Sequence, residues 1–243
     1  MIEKIVFEII VFLSNIIQCI TGFAGTVLAM PFSVMLVGYD TAKPILNILG
    51  IAASIGVLIA ERKSVNKKEF IKIISVMFAG IIAGMFLASY FKGNPSIFYK
   101  LLGTIVIIFA LVNGIKFLKK KESGELNSVA AYSILIAAGV VHGMFVCGGP
   151  LLVTYASMKL KDTKEFRATL SAVWIVLNTV ILFGDIGSGY FSGDVLVLTA
   201  VSLAVLIGAV WLGNFISKKL SKNVFLALTY ILMLISGISL FVK

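Results

Sequence analysis

The feature that most constrains this chain is a succession of nearly uncharged apolar runs, most of them about as long as a bilayer is thick. A hydrocarbon core of about 30 Å takes roughly 20 helical residues. On that measure the runs are Ile5–Thr21, Pro44–Ala60, Phe70–Tyr90, Ile97–Phe117, Val129–Phe145, Phe166–Phe183, Val195–Phe215 and Val224–Val242, with two shorter ones at Thr26–Val37 and Pro150–Met158. Eight full spans and two short segments predict an all-α, polytopic membrane helical bundle.

Composition agrees. The chain is 60% hydrophobic and 13% charged with a mean hydropathy of +1.08, against about 45–50% apolar and 25% charged for a soluble domain. Its 243 residues leave connections of about five to ten residues, too little for a separate soluble domain. Met1-Ile2-Glu3-Lys4 lacks a basic n-region and no A-x-A site closes a short h-region, so the first apolar segment is expected to stay in place. Cys19 and Cys147 fall inside apolar runs, where a thiol behaves as a small hydrophobe.

Two breaks organise the runs. The first is Gly22-Phe23-Ala24-Gly25-Thr26-Val27-Leu28-Ala29-Met30-Pro31; its weaker echo is Gly143-Met144-Phe145-Val146-Cys147-Gly148-Gly149-Pro150. Glycine and proline loosen the helical ladder, and hydrocarbon tolerates freed backbone groups only against protein or a wet cavity. Broken segments in corresponding positions of two halves point to a transporter's binding site near the midplane.

A net charge of +10 and a pI of 9.6 read as membrane topology rather than nucleic-acid binding, because the cations sit in short loops. Arg62, Lys63, Lys67, Lys68 and Lys72; Lys116, Lys119, Lys120 and Lys121; Lys159, Lys161, Lys164 and Arg167; and Lys218, Lys219 and Lys222 flank four connections and make up 16 of the 21 Lys and Arg. Placing these loops in the cytoplasm puts both termini outside. The halves, 1–122 and 123–243, then align: Thr21 on His142, Pro31 on Pro150, and the connection Asp40-Thr41 on Asp162-Thr163. Five segments per half make the two repeats inverted in topology. Gly80 and Gly84, Ala79 and Ala83, and Gly208 and Gly213 offer small-residue packing faces.

Hairpins entering from opposite faces would bring their tips together. The half-helices starting near Thr26 and Pro150 would then present bare amides and positive dipole ends to a compact anion, with Gly22, Gly25, Gly148 and Gly149 allowing close approach. Pro31 either lies within the first half-helix or opens it. The candidate substrate-binding residues are Gln18, Thr21, Gly22, Phe23, Ala24, Gly25, Thr26, Pro31, Asn47, Gly143, Cys147, Gly148, Gly149, Pro150 and Thr169. Ser14, Gln18 and Thr21 share one face of the first span, as cavity lining or as hydrogen-bond glue; neighbour packing is the expected role of Asn113 and Asn178. His142, the single histidine, is a candidate proton carrier, and Glu8 is either a second one or a side chain reaching the interface.

On these residues the chain resembles the sulfite exporter TauE/SafE family, also called the four-toluene sulfonate uptake permeases, over essentially its whole length. That resemblance implies movement of small sulfur-containing anions (sulfite, thiosulfate, sulfonate or sulfoacetate) across a prokaryotic inner membrane, coupled to protons. The expected partners are the anion and membrane lipid, as a monomer or homodimer, with no nucleic acid, metal or other cofactor. A channel or scaffold subunit is the alternative. An intramembrane enzyme is disfavoured: catalysis needs a nucleophile–base pair or several metal ligands, and the chain has one histidine, no H-E-x-x-H, and its Gly187-Ser188-Gly189 falls in a connection.

Overall fold

The computed structural model describes residues 2–21, 24–119, 127–217 and 222–242. These form ten α-helices, with no strand among the described residues: α1 Ile2–Thr21, α2 Gly25–Val37, α3 Tyr39–Glu61, α4 Lys67–Phe91, α5 Pro95–Leu118, α6 Ser128–Phe145, α7 Gly149–Lys159, α8 Thr163–Gly187, α9 Gly193–Ser217 and α10 Lys222–Val242. A 3-10 turn, Arg62–Ser64, follows α3. Seven helices are long and apolar enough to cross a membrane: α1, α3, α4, α5, α6, α8 and α9. The eighth expected span, in α10, contributes a shorter apolar stretch, Leu226–Val242. At 13 and 11 residues, α2 and α7 reach about 20 and 17 Å at 1.5 Å per residue, short of the hydrocarbon thickness.

The helix starts follow from their capping residues. Asn94 caps α5 with Pro95 next, Asn127 caps α6 through a 2.8 Å bond from the Ala130 amide, and Asp162 caps α8 through a 2.8 Å bond from the Glu165 amide. Each side-chain oxygen satisfies a first-turn N–H that has no helical partner. The expected connection at Asp40-Thr41 is absent. One residue, Gly38, joins α2 to α3 at φ 77°, a conformation that glycine adopts without a Cβ penalty. Asp40 therefore lies in the first turn of α3, where it pairs with Lys92 at 2.8 Å. Pro44, expected to open that span, is inside the helix.

The chain divides into two compact units that interleave the sequence halves. Unit 1 holds residues 1–45, 90–122 and 193–243, and unit 2 holds 46–89 and 123–192. Within unit 1, α1 packs on α2 and α9, and α10 packs on α5 and α2. α1 and α9 close where Gly213 meets Cys19, and α5 and α10 where Gly103 meets the Gly237 carbonyl. Within unit 2, α4 and α6 approach backbone to backbone. Gly80 lies against the Ile136 carbonyl and Gly139, and Gly84 against Val140, so the small-residue face at Gly80 and Gly84 is a helix-packing seam.

Candidate functional site

In unit 1 the chain doubles back after α1. A Cβ added at Gly25 would stand 2.7 Å from Gln18 Cβ and 2.9 Å from the Ser14 carbonyl, so α2 starts hard against the last turns of α1. The Gly25 amide donates to Gln18 Oε1 at 2.7 Å. Ser14 and Thr21, grouped with Gln18 on one face, instead bond the Val11 and Ile17 carbonyls of their own helix. Ala24, Gly25 and Pro31 are buried and Thr26 is half-buried. Pro31 lies within α2, which answers whether it lies inside or opens the half-helix. Gly22 and Phe23 lie outside the described residues.

In unit 2 the same manoeuvre follows α6. Val146 ends that helix at φ 56°, the one non-glycine residue with positive φ among the described residues, and its amide bonds the His142 carbonyl at 2.7 Å. A β-branched residue there is strained. A Cβ at Gly148 would collide with the Ala138 carbonyl and stand 2.8 Å from His142 Cβ. The Gly148 amide approaches His142 Nδ1 at 3.4 Å. Gly149 and Pro150 are the first two residues of α7, and both are buried with Cys147. Gly143 is a packing glycine, its Cα against the Ile81 carbonyl of α4.

The two breaks therefore share one plan. Residues four apart on the preceding helix, Ser14 and Gln18 in unit 1 and Ala138 and His142 in unit 2, form the seat on which a glycine rests. The second of each pair offers an acceptor to that glycine's amide. By role Gln18 corresponds to His142, whereas the sequence alignment had set Thr21 there. The glycines expected to let backbone approach an oxyanion are, at Gly25 and Gly148, taken up by contact with their own helix. The remaining first-turn amides, Val27 in α2 and Gly149 and Leu151 in α7, have no acceptor within their helix. They carry the partial positive charge of its end. Such an end suits a compact anion.

His142 is buried and belongs to a network within unit 2. Its Nε2 is 2.7 Å from Asn178 Oδ1, and its ring lies 4.7 Å from that of Trp174. Asn47 Nδ2 donates to the Asn178 carbonyl at 2.9 Å, while the buried Asn47 Oδ1 receives no hydrogen bond. Asn47 thus joins the histidine network. Thr169, its expected counterpart, instead accepts from the Asn66 amide at 2.9 Å and anchors the α3–α4 connection, where Asn66 Nδ2 also donates to Glu165. Glu8 is half-buried and meets α9: its Oε1 accepts from the buried Ser202 at 2.7 Å, and its Oε2 receives no hydrogen bond from the described residues.

Asn178 is the residue that sequence reasoning assigned to packing alone. Its position nine residues after Thr169 carries no motif, and only the pairing of α8 with α6 reveals it. Asp185 is fully buried in the last turns of α8, two residues beyond the apolar run that ends at Phe183, so the run length gives no signal for it. Among the described residues no group of three or more His, Cys, Asp or Glu side chains could hold a metal ion.

Comparison with known proteins matches residues 8–240 to the family described as "Sulfite exporter TauE/SafE". No curated protein and no solved structure matches the chain.

Proposed function

The chain belongs to the sulfite exporter TauE/SafE family, a family of multi-span membrane transporters and not of enzymes, and from that premise we propose that it is a secondary transporter of small sulfur-containing anions. Its substrates are of the sulfite, thiosulfate, sulfonate or sulfoacetate type. It works by alternating access in the cytoplasmic membrane of a prokaryote, with inverted repeats and both termini outside. The anion is held at a helix amide end of this kind, the end of α2 beside Gln18 in unit 1 or the end of α7 at Gly149 in unit 2, each taken by itself. His142 carries the coupled proton.

The observation that supports this most directly is the repeated seat. Twice in one chain a short helix begins where a glycine at its start, Gly25 as the first residue of α2 or Gly148 just before α7, donates to a neutral side-chain acceptor, Gln18 or His142. The acceptor in each break is uncharged as an amide or a neutral imidazole, not a carboxylate. A sulfur oxyanion, with several acceptor oxygens and no need of a metal, matches what helix N-terminal amides provide. The family supplies the sulfur; the amides supply the preference for an anion.

The test is a thermal-shift screen of the detergent-solubilised protein against sulfite, thiosulfate, a sulfonate and chloride, followed by counterflow in proteoliposomes. A ligand that binds only the folded state raises the melting temperature. Stabilisation by a sulfur anion together with saturable counterflow is the expected result. Stabilisation by none of them, or flux that never saturates, contradicts it.

A further inference from the structure

We propose that Asn178 is a positioning residue that sets the tautomer of His142, and that a second proton on the imidazole unlatches the α6–α7 break. The inference deepens the reading of His142 as the proton carrier and rests on it for its role in transport, but its structural content stands on the network alone.

The geometry dictates the tautomer. A backbone N–H has no lone pair to offer, so the contact between the Gly148 amide and Nδ1 is a bond only when Nδ1 is bare. A neutral imidazole then carries its proton on Nε2, which donates to Asn178 Oδ1 at 2.7 Å. Asn178 is held in turn: its backbone carbonyl accepts from Asn47 Nδ2, and its amide nitrogen lies 2.8 Å from the Cβ position of Gly50, where only a glycine leaves room. With Oδ1 aimed at Nε2, the alternative tautomer would set lone pair against lone pair at Asn178 and N–H against N–H at Gly148. Both contacts select one state.

The same geometry states what a proton does. Taken up from water at Nδ1, it turns that nitrogen from acceptor to donor, leaves the Nε2–H bond to Asn178 intact, and adds one positive charge to the ring. The Gly148 amide loses its acceptor. At 3.4 Å the Gly148 bond is long compared with the usual 2.9–3.0 Å, so it is the weaker of the two and the one that protonation removes. Against the ring stand Trp174 and Asn178 of α8 and the Gly148 amide of the break. None of these is a charged group. In unit 1 the corresponding seat residue is Gln18, which cannot take a proton, so only one of the two breaks answers to pH.

The chain has a single histidine, so protein labelled with 15N-histidine gives one imidazole whose two nitrogens report its tautomer directly. In the full-length protein the neutral ring is expected as the Nε2–H form. Asn178→Leu should lose that selection and give a mixture of tautomers. Asn178→Asp, which keeps an acceptor facing Nε2, should restore it. With glycine also labelled, the Gly148 amide resonance should move in step with ring protonation in the wild-type protein. A neutral ring protonated on Nδ1, or a Gly148 amide unmoved while the ring titrates, overturns the proposal. Because no readout involves transport, failure to bind a sulfur anion would leave this result standing, and the reverse also holds. Should Asn178→Leu fail to fold, the wild-type tautomer and the Gly148 shift still decide it.

Discussion

The Gly25 amide donates to Gln18 Oε1 at 2.7 Å, so the first amide of α2 is capped from the helix that precedes it, seven residues back. This one bond ties the break in unit 1 to both stability and the amide end available for a ligand, and the two can be separated by substitution. Gln18→Ala leaves the Gly25 amide without its acceptor inside the protein, which costs about 1–3 kcal/mol and lowers the melting temperature in detergent. Gln18→Glu keeps an acceptor and adds a negative charge beside the amide end. It should retain most of the thermal stability while weakening stabilisation by sulfite, as measured by thermal shift with and without the anion.

Glycine positions that look alike in sequence should respond in opposite ways. Gly25→Ala and Gly148→Ala each place a methyl group where Gln18 and Ser14, or Ala138 and His142, already stand. Both should destabilise by about 1–3 kcal/mol, the range for forced overpacking. Gly56→Ala, in α3 with nothing within 4 Å of the new Cβ, should instead stabilise by roughly 0.5–1 kcal/mol because the helix gains a better former. Melting temperatures of the three variants check the order.

Two of the polar pairs at the α1–α9 interface are of unequal weight. Lys4 and Asp194 meet at 3.0 Å, but their side chains are 52% and 85% exposed, so water screens the pair and Asp194→Ala should change stability by less than about 1 kcal/mol. Ser202 is fully buried and donates to the Glu8 carboxylate at 2.7 Å. Ser202→Ala removes the one hydrogen bond that Glu8 receives and should cost about 1.5–3 kcal/mol. Equal effects of the two substitutions on the melting temperature would refute this ranking.

The helices were legible because the bilayer makes them so: apolar run length alone placed all ten within a few residues, and Gly25 and Gly149 begin half-helices that glycine clusters had marked. The connection at Asp40 was misread because a turn signal in sequence, Asp-Thr before Pro44, is equally a helix start, and one glycine at positive φ sufficed for the turn. The pairing of Gln18 with His142 was hidden for a different reason. Alignment by identity matched Thr21-Gly22 to His142-Gly143, while the fold matches residues by which side chain reaches the returning amide. Asn178 and Thr169 show the same limit. Each is a lone polar residue on α8, and its partner, His142 or Asn66, is fixed by packing within unit 2, which no spacing along one helix records.

The central claim is that an amide end at a break holds the anion, and the most direct measurement is a titration of sulfite into the full-length protein with 15N-labelled glycine, following Gly149 at the end of α7 and, beside the open amides, the bonded amides of Gly25 and Gly148. Saturable shifts at these amides, at the concentration that stabilises the protein thermally, are the predicted result. Thermal stabilisation by sulfite with all three resonances unmoved would contradict it.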